Sequence, residues 1–566
     1  MSIKRWWVTA IAAVLTVAAL VCALNIVVDP FGVFGDRVLD WYSFDMTMAP
    51  KAAKTAYLDR RNDKYNAYVI GPSGSSAFLP ETLNEYTGLR WYNTFNYGAD
   101  MEYTLKLAHY IADNYEAEEF LLVLPYVSAA KYGTPAEDST QWPSPRVTGD
   151  LRDWLRFIAA NPRNALMKVK NYRENSYLQE KFDVFLPESG VYDKSSRDCE
   201  PIGSLADYAG FPNDYVSPQS LDYLDECMDA VRELKRLCDE RGIALTVIVP
   251  PMPAMRLVEY DADEVAAFYV RLGEITQYHD YANFVPNEPR YYYDESHFRN
   301  NVGNMVLADI YGDDSTYIYE DGDELDTELM VLLYHHITEE QMDDTTSVAD
   351  FRRDMEHIRD AGYTTVSLSE MEDYVYRGIA LPEKAVLIRF DDGYTSNYEL
   401  GLPILEEYGH KAVIFAIGVS VGRDTYKDTG EPITPHFSFE QAREMIEGGL
   451  IEVQSHTYDM HQVSRLDGEG CRFGVLRMDG ESEADYVAAL TADFNRSRSE
   501  LEAETGAEVY ALAYPYGNHE KLAEVVLFKL GVRMTFTIEH GRNTLVKGLP
   551  QSLYNLKICT INDLKP

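Results

Sequence analysis

Between Trp6 and Val28 the chain runs for 23 residues without a charged side chain, and this run restricts the fold more than any other feature. Hydrocarbon offers no partners to backbone N–H and C=O groups, so the run can cross a bilayer only as a helix. At ~1.5 Å per residue it covers about 34 Å, enough for the apolar core. Lys4 and Arg5 precede it and no comparable segment follows. The positive-inside tendency then keeps the short head in the cytoplasm and exports everything from Asp29 onward. A cleaved signal peptide is the competing reading, but the run exceeds a usual signal core and no small-x-small site closes it. Val21 occupies the position where lipoprotein processing at Cys22 requires a small residue. A single-pass protein of the cell membrane with an extracytoplasmic ectodomain is expected.

The charge of the chain narrows its partners. Lys and Arg number 51 against 92 Asp and Glu, a net −41, which opposes any sequence-independent hold on phosphate backbones. No nucleic-acid partner is expected; for an acidic ectodomain outside the cell, an envelope or extracellular polymer is the natural substrate. Hydrophobic residues at 46% and aromatics at 12% supply large cores. Cys22, Cys199, Cys227, Cys238, Cys471 and Cys559 are scattered, without the close pairs of a zinc or disulfide scaffold.

Short apolar runs such as AYVIG at 67–71, FLLVLPYV at 120–127 and ALTVIVP at 244–250 alternate with amphipathic stretches, an α/β pattern. Leu221, Leu224, Cys227, Val231, Leu234 and Leu237 recur at helical spacing, and Gly242 ends that helix. Residues 311–328 hold eight acids and no Lys or Arg, which marks a domain boundary. The expected division is a head and anchor at 1–28, an α/β domain at 29–311, an acidic linker at 312–327 and a second α/β domain at 328–566.

The second half carries the stronger chemistry. The strand AVLIRF at 385–390 leads into Asp391, Asp392 and Gly393. Neighbouring strand residues face opposite ways, so two adjacent carboxylates can share one site only where the strand ends and turns. Gly393 supplies that freedom. The strand IEVQ at 451–454 leads likewise into SHTYDMH at 455–461, and VYALAY at 509–514 ends in Pro515, Tyr516 and Gly517. In parallel α/β folds the carboxyl ends of strands gather at one rim, so the three turns can meet around one pocket. One carboxylate with two imidazoles forms a metal triad with open positions, and a second carboxylate can take a proton from water.

FDDGY at 390–394, SHTYDMH at 455–461 and AYPYG at 513–517, in that order, resemble the polysaccharide deacetylase family, the NodB-homology domain or carbohydrate esterase family four. LYHHI at 333–337 and the stretch at 351–371 are similar to the opening segment of its exported poly-N-acetylglucosamine deacetylase branch. The resemblance, over about residues 328–566, implies a distorted (β/α) barrel, Asp391 as general base, and Asp392, His456 and His461 as ligands of a divalent metal, Zn²⁺ first. Tyr514, Pro515 and Tyr516 would line the sugar groove. Two departures stand out. Ala513 occupies the position where many members carry an arginine, so the group orienting Asp391 must come from elsewhere. The late histidine motif that supplies a general acid is also not evident; His540 is the nearest late candidate, and His335 and His336 close a strand beside the expected pocket.

The first half holds a fainter site. AYVI at 67–70 leads to Gly71, Pro72, Ser73, Gly74, Ser75 and Ser76, a turn that can expose the Ser73 hydroxyl while its N–H groups serve an oxyanion. Asp294 and His297 stand three apart, a spacing that lets the carboxylate orient the imidazole as base for a distant serine. Between them, Gly98 can lend an N–H and Asn93 or Asn96 an amide. These residues are similar to the SGNH hydrolase superfamily, especially the membrane-anchored branch related to alginate O-acetyltransferases, over about residues 25–311. The resemblance implies a three-layer α/β domain handling O-acyl groups.

The leading expectation is an anchored, metal-dependent N-deacetylase of an envelope or extracellular polysaccharide, with a second O-acyl esterase or transferase site. Two alternatives are an O-acyltransferase whose deacetylase-like half only binds carbohydrate, and a noncatalytic scaffold of a polysaccharide export machine.

Overall fold

The computed structural model describes residues 3–40, 49–98, 101–130, 139–174, 184–200, 219–257, 259–288, 290–294 and 296–564. They divide into two compact units. The first draws on 1–178, 183–193 and 208–313, the second on 179–182, 194–207 and 314–566.

In the first unit the uncharged run forms one helix, Ile3–Val28, long and apolar enough to cross a bilayer, a test that signal sequences also pass. Its carboxyl end is fastened into the unit. Asn25 is buried and its amide donates to the carbonyls of Ile158 (3.0 Å) and Ala160 (2.7 Å). Just beyond, Lys168 pairs with buried Asp36 at 2.7 Å and donates to the Asp29 carbonyl. The three expected strands appear as β1 (Ala67–Ile70), β3 (Glu119–Val123) and β4 (Ala244–Val249), joined by two short ones, β2 (Trp91–Asn93) and β5 (His279–Asp280). They form one parallel sheet in the order β2-β1-β3-β4-β5. All four residues of β1 are buried, as expected for a central parallel strand covered on both faces. The amphipathic helix spans Leu224–Arg241, and Gly242 ends it at a left-handed φ of 69°.

In the second unit β6 (Asp326–Tyr334), β7 (Ala385–Phe390), β8 (Ala412–Ala416), β9 (Ile451–Ser455), β10 (Ala511–Ala513), β11 (Met534–His540), β12 (Asn543–Val546) and β13 (Leu556–Ile558) form a nearly closed sheet. The order is β12-β6-β7-β8-β9-β10-β11-β13, with only β12 antiparallel among these pairings. Leu332 of β6 bridges to Cys559 just past β13, and the Cys559 N–H donates to Val331 O at 2.7 Å, bringing the ends together. This agrees with a deacetylase barrel. Period-two alternation sorts the side chains into two cores. Leu387, Val413, Phe415, Ala513 and Phe536 share one, while Ile388, Phe390, Ile414, Leu512 and Tyr514 share the other.

The acidic stretch expected as a linker is partly built into the second unit. Tyr317 is buried, its N–H donates to Tyr376 O at 2.7 Å, and its ring lies where a Cβ on Gly378 would meet it at 2.5 Å. An apolar aromatic amid the acids is what pulls the stretch down. Residues 194–200 also join the second unit, where Cys199 packs with Val525 and Tyr554.

Candidate functional site

The second unit gathers its chemistry at the carboxyl ends of β7, β9 and β10. β7 runs straight into Asp391, and Asp392 then turns left-handed at φ 73°, followed by Gly393 at 81°. The turn lets both carboxylates face one site. Asp392 Oδ1 lies 3.5 Å from His456 Nε2 and 3.4 Å from His461 Nε2. His456 Nδ1–H donates to Ala513 O at 2.8 Å. Tyr516 donates its hydroxyl proton to Gln462 O, so His461 Nδ1–H donates to Tyr516 Oη at 3.1 Å. Both imidazoles thereby turn a bare Nε2 toward Asp392, the tautomer a metal ligand needs. Burial holds His456 neutral, its pKa lowered to about 4 although Asp391 and Asp392 oppose the shift. Asp392 Oδ1 is a buried acceptor with no hydrogen-bond partner, and the three ligand atoms lie within 4.8 Å of one another. An unspent anionic acceptor facing two bare nitrogens suits a divalent cation.

The orienting group that the sequence left open is Arg389. It lies on β7, two residues before Asp391 and on the same side of the strand, and is fully buried. Its guanidinium grips Asp391 at 2.7 and 2.5 Å and donates to Thr537 O at 2.8 Å. Phe415 and Phe536 flank it, each ring centre 5.5 Å away. Burial alone would raise Asp391, but the charge and hydrogen bonds of Arg389 hold it below its ordinary 3.8. The signal was present in the sequence: an arginine inside an otherwise apolar strand, at an even spacing from the carboxylate.

Of the three residues expected in the sugar groove, one reaches the ligand set. Tyr514 is fully buried, stacked on His519 at 4.2 Å, and Pro515 is buried too. Tyr514 keeps the extended backbone of β10, so alternation sends it to the core with Leu512. Tyr516 adopts φ 59° and swings back, its ring 4.3 Å from that of His461. His540 is exposed at the end of β11. His335 accepts at its carbonyl from Asn397 Nδ2 at 2.8 Å, and His336 bonds Ser396 Oγ at 2.8 Å. His436 was not anticipated. It bridges to Tyr394, and with Asp392 and His461 it lines a cavity of about 400 Å³.

In the first unit, β1 ends at Gly71, where a Cβ would stand 2.5 Å from Val123 O, so only glycine fits. The turn Ser73–Ala77 follows. Ser73 Oγ lies 2.8 Å from His297 Nε2, and His297 Nδ1 lies 2.8 and 2.9 Å from the two oxygens of Asp294. The carboxylate fixes the proton on Nδ1 and leaves Nε2 free to accept from the serine. Burial pushes Asp294 up, but bonds from His297 and from the Ser296 and His297 N–H groups outweigh it and hold the carboxyl below 3.8. Ser73, His297 and Gly98 line a cavity of about 390 Å³. Asn93 does not present its amide there: both donor positions bond the serine turn, at Ser75 O (2.8 Å) and Phe78 O (3.0 Å). Asn96, 2% exposed, keeps its whole amide without a partner.

Residues 378–535 match the Polysaccharide deacetylase family. The poly-beta-1,6-N-acetyl-D-glucosamine N-deacetylase of Escherichia coli (strain K12) is 27% identical over 228 residues, 38% of this chain and 34% of that protein. That of Staphylococcus aureus (strain MRSA252) is 28% identical over 197 residues, 34% of this chain and 61% of that protein. The chain thus spans about a third of the length of the first of these relatives. A solved structure of IcaB from Ammonifex degensii is 26% identical at a TM-score of 0.35, covering 42% of this chain and 94% of that one. The C-terminal region is thus a polysaccharide deacetylase domain, homologous to the poly-β-1,6-N-acetylglucosamine deacetylases.

Proposed function

We propose that this protein is a membrane-anchored, metal-dependent N-deacetylase of an extracytoplasmic N-acetylated polysaccharide, of the poly-N-acetylglucosamine class named for its relatives. The observation that carries this reading is the buried pair of carboxylates with divided roles: Asp391 gripped by Arg389, and Asp392 left with an unspent oxygen toward His456 and His461. Asp392, His456 and His461 would hold the ion, with Zn²⁺ the first choice for such a donor set. A divalent ion there supplies Lewis-acid polarisation and acidifies water. Asp391 takes the proton of the attacking water, and Arg389 keeps it ionised and aimed. Tyr516 keeps His461 in its ligating tautomer. The docked end of helix Ile3–Val28 supports an anchor retained in the mature protein, since cleavage beyond Asn25 would take the donor from the buried Ala160 and part-buried Ile158 carbonyls.

The test is acetate release by the full-length protein from β-1,6-linked N-acetylglucosamine oligomers, peptidoglycan fragments and O-acetylated glycans, with and without a chelator. Release from the N-acetylated oligomers that stops on chelation is expected. Binding without release would favour a carbohydrate-binding module, and neither would favour an export scaffold. Protease shaving of intact cells should remove the ectodomain.

A second reading covers the first unit: a serine-centred O-acyl esterase or transferase site. The hydrogen-bonded chain Ser73–His297–Asp294 at the edge of a cavity favours it. Ser73 attacks the ester carbonyl, His297 takes its proton and returns it to the departing alkoxide, and water or a second hydroxyl resolves the acyl-serine. Acyl release from O-acetylated glycans that persists in chelator tests it.

A further inference from the structure

Phe473 lies in the second unit with 55% of its surface exposed. A lone surface phenylalanine needs no explanation, but this one is fixed in place. Its ring lies parallel on Tyr516, with centres 4.5 Å apart and planes 12° apart, and Tyr516 in turn leans on His461. The backbone on both sides is tied to the candidate centre. Phe473 pairs in an antiparallel bridge with His461, and Val475 N–H donates to Asn518 O at 2.9 Å. Gly474 approaches the Pro515–Gly517 turn so closely that a Cβ would meet Pro515 O at 2.7 Å. Arg472, itself buried, donates its N–H to Gln462 Oε1 at 2.8 Å and pairs with Glu481 at 2.5 Å. The loop thus holds an apolar ring in water, outermost in the layer His461–Tyr516–Phe473.

We propose that Phe473 is a stacking platform for a pyranose ring of the polysaccharide, at a position neighbouring the sugar whose N-acetyl group reacts. The C–H face of a pyranose is apolar and flat enough to lie on an aromatic ring, and the ring's negative face favours contact with those C–H groups. Continuity through Tyr516 with the ligand set argues for the polymer rather than another occupant: a chain whose reacting residue sits at Asp392 must leave the centre across its rim. Being one layer removed from His461, the platform senses chain length and not the chemical step.

The inference rests on the deacetylase reading, so binding and turnover are measured separately. In full-length Asp391→Asn protein, calorimetry with β-1,6-linked N-acetylglucosamine oligomers should show affinity rising with length. Adding Phe473→Ala should weaken the long oligomers about threefold to tenfold and flatten the length dependence. Phe473→Trp should restore it. With Asp391 intact, Phe473→Ala should raise KM for long oligomers by the same factor while kcat holds. Unchanged affinity in Phe473→Ala, an equal loss on the monosaccharide, or no binding of any oligomer by the Phe473-bearing protein overturns the platform. So does a Phe473→Ala protein that changes only its oligomeric state, which would assign the ring to self-association. Length-dependent binding through Phe473 without acetate release from wild-type protein keeps the platform and removes the deacetylase reading.

Discussion

The two candidate centres occupy equivalent places, at the carboxyl ends of parallel strands, and differ in depth and in completeness. In the first unit the His297 and Asp294 side chains are 35% and 48% exposed, and every polar atom of the relay has its partner. In the second unit Arg389 and Asp391 are essentially without solvent contact, His456 and Asp392 nearly so, and one Asp392 oxygen is unsatisfied. The difference is one of charge. The relay needs a single carboxylate and a neutral imidazole, which water does not disturb. Two adjacent carboxylates repel each other, so the deeper centre draws one cation from the chain, Arg389, and under the proposed function the other carboxylate would take a cation from outside.

Four experiments set this contrast at risk. The largest effect is expected from Ser73→Ala, which should lower O-acyl turnover by about 10⁴–10⁶-fold while acetate release from N-acetylated oligomers continues, and chelation should produce the opposite pattern. If one treatment abolished both activities, the centres would not be independent. Asp391→Asn should lower amide turnover by about 10²–10⁴-fold with metal content preserved, measured by elemental analysis beside kinetics. Arg389→Met should cost about 3–5 kcal/mol by denaturant titration, because Asp391 is then buried unpaired. It should also move the acid limb of the pH profile. Wild-type Asp391 titrates below 3.8, so its stabilising contribution is present above that value and fades as pH falls through the lower folded pKa. Without Arg389, burial acts unopposed, the carboxyl titrates higher, and activity fails at a higher pH. Asn25→Ala should have the smallest effect, about 1–3 kcal/mol of stability from the buried Ala160 and part-buried Ile158 carbonyls losing their donor, read as a lower Tm of the detergent-solubilised chain.

How far each centre could be read from sequence depended on the range of the contacts that build it. The strand AVLIRF and the carboxylates at its end are legible because alternation and a glycine turn are local. The same holds for the helix Leu224–Arg241 and its glycine stop. The spacing of Arg389 from Asp391 is local too, but what keeps that arginine buried is not, since Thr537, Phe415 and Phe536 come from other strands of the sheet. Tyr514 was misplaced because the motif reads as one unit, whereas the backbone reverses inside it, between an extended Tyr514 and a left-handed Tyr516. Asn93 failed as an oxyanion donor for a similar reason: a spare amide in sequence is already bonded in space. The two units part at residues 313 and 314, inside the acidic stretch, but the membership of residues 194–200 in the second unit has no local signal, since Cys199 finds Val525 and Tyr554 only after both segments have folded.

The fastening of Asn25 and Asp29 has a mechanical consequence. A domain hung on a loose tether sweeps a volume and meets its substrate by diffusion, and its effective concentration near the bilayer depends on the length of the tether. Here the helix ends inside the first unit, with the Asn25 amide on Ile158 and Ala160 and Lys168 locked on Asp36. Under the anchored topology the mouth of the Ser73 cavity therefore has a set height and bearing above the lipid. It would work as a fixed station past which a polymer is drawn, and lengthening the join between helix and unit should detune its reach without altering its chemistry.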